Sequence, residues 1–171
     1  MSVVSGLLFY LFAPRHTKAA YREFCNLRNM RKLIRSSPLE VRQVVGTSLS
    51  ASLLVLNLPL PPEPEGPPTL AYVLGMRRVF MACTRDESLI LHRQLRAEAE
   101  QYSMDPQKSL SLMGATLAMG WFNYSVTAAH SLNPKEVVEA NALLDVVDEI
   151  LTDIFGPFLH PEQPVRFTEN F

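Results

Sequence analysis

Apolar residues recur at helical spacing along most of this chain, and the recurrence divides it into successive amphipathic segments. Residues 17–35, TKAAYREFCNLRNMRKLIR, place Ala20, Phe24, Leu27, Met30 and Ile34 at that spacing, with Lys18, Arg22, Arg28, Arg31, Lys32 and Arg35 elsewhere. This pattern predicts a helix with a basic outer face. Ser37-Pro38-Leu39-Glu40 then offers an N-cap, a proline at the first helical position and a glutamate at the third, so a second helix is expected from Pro38 to Leu56. Its only charges are Glu40 and Arg42, which implies that most of its circumference is buried.

Residues 57–68, NLPLPPEPEGPP, hold six prolines and cannot continue a helix, because each proline removes an amide donor and fixes φ. They read as an internal loop. Helical pattern resumes from Thr69 to Ala82. Thr84-Arg85-Asp86-Glu87 is a T-x-x-E capping box that opens another helix to Tyr102, with Leu91, Leu95 and Tyr102 as its apolar stripe. Asp105-Pro106 and Asn133-Pro134 repeat a cap followed by proline ahead of two further helices. In the last, 134–155, Val137, Ala140, Leu144, Val147, Leu151 and Ile154 are expected inward. Glu136, Glu139, Asp145, Asp148, Glu149 and Asp153 are expected outward. Beyond Gly156 the proline-rich tail, 157–171, reads as irregular. No segment combines period-two alternation with hairpin residues, so the expected fold is all-α, one domain of six or seven helices.

Composition narrows the function classes. With 171 residues, 47% of them hydrophobic, the chain can build one sizeable core. The net charge of −1 conceals an asymmetry: residues 1–37 carry seven Lys/Arg against Glu23 alone, and the remainder carries nine against sixteen acids. A basic helix matched internally by an acidic one accounts for this, as would an anionic surface. No basic stripe is interleaved with aromatics, which argues against nucleic acid. Cys25 and Cys83 stand apart from any CxxC and read as reduced thiols of a cytoplasmic protein. His16, His92, His130 and His160 show no metal-ligand spacing, so neither metal nor cofactor is expected.

The start, residues 3–13, is apolar but too short to span a bilayer. A helix docked on the core is the favoured reading, with mitochondrial targeting or membrane contact through residues 3–12 as alternatives. The run 114–133, GATLAMGWFNYSVTAAHSLN, carries no full charge, yet its second half holds Asn123, Tyr124, Thr127 and His130. Asn123, Thr127 and His130 fall on one stripe, with Tyr124 beside it. Two readings are open: a core stripe satisfied locally, or a pocket lined by Trp121, Asn123, Tyr124 and Thr127 in which His130 acts as general acid or base.

Three stretches carry a family resemblance. Pro106 through Trp121-Phe122-Asn123-Tyr124 to Ala129-His130-Ser131-Leu132 resembles the C-terminal helix of AhpD-like, carboxymuconolactone-decarboxylase-related proteins. Thr84-Arg85-Asp86-Glu87 through Leu95-Arg96 to Asp105 is similar to the helix before it. Ser37 to Val45, with Leu49-Ser50-Ala51-Ser52, is similar to the helix leading into that family's redox motif. Where the family places CxxC followed by His, this chain has Ser52-Leu53-Leu54-Val55-Leu56-Asn57-Leu58-Pro59. The thiolate is the nucleophile in that chemistry, so the resemblance implies a helical fold and a tendency to oligomerise without peroxidase activity. Helix 134–155 is additional to the family's usual ending. Three function classes follow: a helical binding or assembly protein with a protein partner or self-association, a lyase- or decarboxylase-type enzyme on a small organic acid, and a peripheral membrane protein.

Overall fold

The computed structural model describes residues 15–59 and 68–156, with side chains from Lys18 and, after the proline-rich stretch, from Tyr72. The expectations for residues 3–13, for most of the 57–68 loop and for the 157–171 tail lie outside the described residues. Six α-helices make up nearly all of what is described: α1 (Arg15–Ser36), α2 (Leu39–Leu54), α3 (Pro68–Ala82), α4 (Arg85–Ser103), α5 (Ser109–His130) and α6 (Pro134–Phe155). A single 3₁₀ turn, Pro106–Lys108, precedes α5, and there is no strand among the described residues. The chain is thus an all-α bundle.

Local chemistry accounts for several helix ends. Thr84 and Glu87 form the expected reciprocal box: the Glu87 amide donates to Thr84 Oγ1, and the Thr84 amide donates to the Glu87 carboxylate at 2.7 Å. Asn133 accepts from the Lys135 amide, and Asp105 accepts from the Gln107 amide, although the latter cap opens the 3₁₀ turn and not α5 itself. Ser37 does not cap α2. Its hydroxyl turns back to the Leu33 carbonyl at 2.7 Å and closes α1, while Pro38 occupies the N-cap of α2 without a side-chain bond. Beyond α2, Asn57 adopts φ 49°, the left-handed region that asparagine tolerates better than most residues, and there the chain turns away from the helix axis.

Helix α5 is the hub, packed against α2, α3, α4 and α6, and α1 lies along α6. One continuous apolar core draws on all six helices. At its centre Phe80 of α3 stands edge-on to both Trp121 and Phe122 of α5, with ring centroids 5.1 and 5.4 Å apart. The approach of α5 to α2 depends on Gly114, where a Cβ would stand 2.4 Å from the Val45 carbonyl oxygen. Ser48 fastens the same crossing by donating its hydroxyl to the Ser111 carbonyl.

The internal charge match expected from the sequence is present. Arg31 of α1 bonds Asp153 of α6 at 2.8 Å and also pairs with Glu149, which Arg28 reaches as well. The paired residue numbers rise together on the two helices, so α1 and α6 run parallel. This corrects the expectation of an acid row on α6 turned to solvent: Glu149 and Asp153 face α1, and Asp148 lies against Arg77 of α3 at 3.6 Å. Nor is α2 buried over most of its circumference. Val44, Leu54 and Val55 are each more than two-fifths exposed.

Candidate functional site

The five residues singled out on α5 point to different neighbours. Trp121 is a core residue, 1% exposed, and its indole N–H meets no acceptor. Asn123 Oδ1 takes a 2.9 Å bond from Nδ1 of His92, about two turns into α4. Tyr124 donates its hydroxyl to Glu23 of α1 at 2.5 Å, and burial, together with that carboxylate, holds the phenol far above its ordinary pKa. Thr127 is half-buried, and its carbonyl accepts from the Ser131 amide. His130 is exposed and meets the Cys83 carbonyl at 2.6 Å through Nε2. A carbonyl only accepts, so that nitrogen carries the proton.

Asn123 and His130 share a face of α5, as the periodicity indicates, but stand about 10 Å apart along the axis at 1.5 Å per residue. Each is held by a different element, Asn123 by the body of α4 and His130 by the corner between α3 and α4. The groups that satisfy Asn123 and His130 thus come from elsewhere in the chain, and nothing in the local sequence names them.

An open groove of about 590 Å³ lies at that corner, lined by Leu56, Leu58, Pro59, Arg78, Val79, Ala82, Cys83, Glu87, Ile90 and Leu91. Its origin is local. Leu56, 4% exposed, anchors the exit of α2 in the core, and the turn at Asn57 sends Leu58 and Pro59 along one wall. The C-terminal end of α3 supplies Arg78, Val79 and Ala82, and the capping box sets Glu87, Ile90 and Leu91 on the first turns of α4. None of the five α5 residues lines it. Sequence reading passed over this site. Its one signal was Leu89-Ile90-Leu91, three successive apolar residues that exceed what a single stripe on α4 requires; Leu89 and Ile90 are 56% and 58% exposed.

The reactive inventory of the groove is small. Cys83 is buried and donates to the Val79 carbonyl at 3.6 Å; burial, with the Glu87 charge nearby, pushes its thiol up, away from the thiolate. Glu87 is spent on the cap, and its bonds from Thr84 hold its carboxyl below the usual carboxylate range. Ser52 is fully buried and bonds the Ser48 carbonyl at 2.9 Å. Among the described residues no three His, Cys, Asp or Glu side chains gather as a metal site would require, and no helix is long and apolar enough to cross a membrane.

Fold and groove together define an all-α bundle with an apolar cleft at one corner. No family model matches the chain, and neither a curated protein nor a solved structure matches it significantly.

Proposed function

We propose that this chain is a non-enzymatic helical binding protein and that the groove between the exit of α2 and the α3–α4 corner is where it binds. The observation that carries this reading is the groove itself: apolar over most of its lining, open to solvent, and within the range of about 300–1,000 Å³ usual for ligand sites. The α5 residues speak against an acid–base site, since Asn123, Tyr124 and His130 are each engaged by a different neighbour. The lyase or decarboxylase reading therefore lacks the convergence it needs. The membrane reading rests on residues 3–12, outside the described region, and loses part of its basic face because Arg28 and Arg31 are paired with α6.

Self-association, as in an AhpD-like scaffold without its thiol pair, is the second reading. It is favoured by the apolar residues that α2 and its exit expose, Val44, Leu54 and Val55. Two unpaired cysteines suit a cytoplasmic location.

The test is titration of the full chain with the neutral fluorophore N-phenyl-1-naphthylamine. Saturable 1:1 binding is expected, weakened about tenfold or more by Ile90→Asp, which puts a charge into the groove. Ile90 is exposed, so the variant should keep the wild-type Trp121 emission. Binding that does not saturate, or that Ile90→Asp leaves unchanged, would sink the proposal.

A further inference from the structure

Resting on that reading of the groove, we infer that its ligand is a single-chain aliphatic carboxylate, with the chain on the apolar wall and the headgroup on the Arg78 guanidinium. The case rests on which charge in the lining is left to act. Two charged residues border the groove, Arg78 and Glu87. Glu87 is committed: one carboxylate oxygen takes both the amide and the hydroxyl of Thr84, each at 2.7 Å, and the residue sits in the first turn of α4, where backbone amides favour an anion. The neighbouring Arg77 is likewise committed, to Asn141 at 2.6 Å and to Asp148. Arg78 differs from both. It is exposed near the C-terminal end of α3 and has no carboxylate partner among the described residues; Glu87, in the same lining, makes no ion pair with it.

Most of the remaining wall is hydrocarbon, with Leu56, Leu58, Val79, Ala82, Ile90 and Leu91 its main aliphatic contributors. A ligand complementary to this surface has a flexible apolar body and one anionic end. The guanidinium fork suits a planar carboxylate, which it can bind through two parallel N–H bonds. A neutral lipid would leave the fork unmatched, and a cationic amphiphile would meet Arg78 as a like charge. Each methylene taken from water onto the wall should strengthen binding about fourfold until the groove is filled.

The experiment is displacement of N-phenyl-1-naphthylamine from the full chain by decanoate, decanol and decyltrimethylammonium, all below their micelle concentrations. Decanoate is expected to compete at least tenfold better than decyltrimethylammonium, and to bind roughly fourfold per methylene more tightly than octanoate. Arg78→Gln should weaken decanoate about five- to tenfold and leave decanol within about twofold, whereas Arg78→Lys, which keeps the charge without the fork, should fall between Arg78→Gln and the parent. Arg78 is exposed, so both variants should fold, with Trp121 emission as the check. If decanoate and decanol compete equally and Arg78→Gln changes neither, the carboxylate is not read: the inference falls and the groove reading stands. A preference for decyltrimethylammonium overturns it as well, since Glu87 would then set the sign. If the fluorophore does not bind and calorimetry detects no heat with decanoate, the groove reading fails along with it.

Discussion

Replacing Gly114 by alanine puts a methyl group where α5 crosses α2. An alanine Cβ there would stand 2.4 Å from the Val45 carbonyl oxygen, 2.8 Å from the Leu49 amide nitrogen and 3.0 Å from the Ser48 Cβ. The two nearest atoms belong to the α2 backbone, which cannot rotate aside as a side chain would. The helices must part, which loosens the contact that Ser48 makes with the Ser111 carbonyl. Overpacking a core costs about 1–3 kcal/mol, and an obstruction made of backbone argues for the upper end. Removing a glycine from a helix interior returns about 1 kcal/mol. The net expectation is a loss of about 2 kcal/mol, or a Tm lower by about 4–8 °C for a domain of this size. Gly120 on the same helix is the control. A Cβ there meets only the Tyr124 ring, at 3.3 Å, so Gly120→Ala should be close to neutral or slightly stabilising. The assay is urea or thermal unfolding followed by the emission of Trp121, the single tryptophan, which is 1% exposed. If Gly114→Ala were as stable as the parent or gained as much as Gly120→Ala, α2 and α5 could not cross as closely as described.

Two further perturbations bear on the charges around α6. Arg31 and Asp153, 22% and 21% exposed and 2.8 Å apart, should show a coupling of about 1 kcal/mol in a double-mutant cycle by urea unfolding at low salt, declining as salt is added; zero coupling at low salt would mean that this pair does not join α1 to α6. Burial pushes the Asp148 carboxyl up to about 6 against the opposing pull of Arg77, with Asp145 adding to the rise. The native state therefore holds this proton more tightly than the unfolded chain, and stability falls as pH rises from about 4 through 6. Asp148→Asn should accordingly raise stability at pH 7–8 by about 1 kcal/mol after allowance for solvent screening, with the gain fading as pH falls through about 6 and gone by about pH 4. A destabilised Asp148→Asn at pH 8 would show that the Arg77 pair outweighs burial.

Helix positions were legible in the sequence because what sets them is local. Proline at 106 and 134, the Thr84–Glu87 box and the caps at Asp105 and Asn133 act over three or four residues. The inward faces of α1 and α6 followed from a period of about 3.6. Ser37 shows where local reading fails. The same hydroxyl can cap the helix that follows or close the one before, and the geometry of the turn chose Leu33.

The sequence by itself determined the helical class, the approximate place of each helix and the presence of a charge-free polar stripe on α5; it overran the end of α2, which stops at Leu54 and not Leu56. Which side chains meet across the bundle was decided by tertiary structure alone. Arg31 finds Asp153 at a separation of 122 residues, Tyr124 finds Glu23 across 101, and His130 finds a carbonyl 47 residues away. The groove belongs to the same category, since it is made where the exit of α2 comes to lie beside the corner of α3 and α4. Periodicity reports which face of a helix avoids water, because that depends on the residues of the helix itself. It carries no information about which helix covers that face, or where two helix ends fail to cover one another, because those depend on how all six pack together.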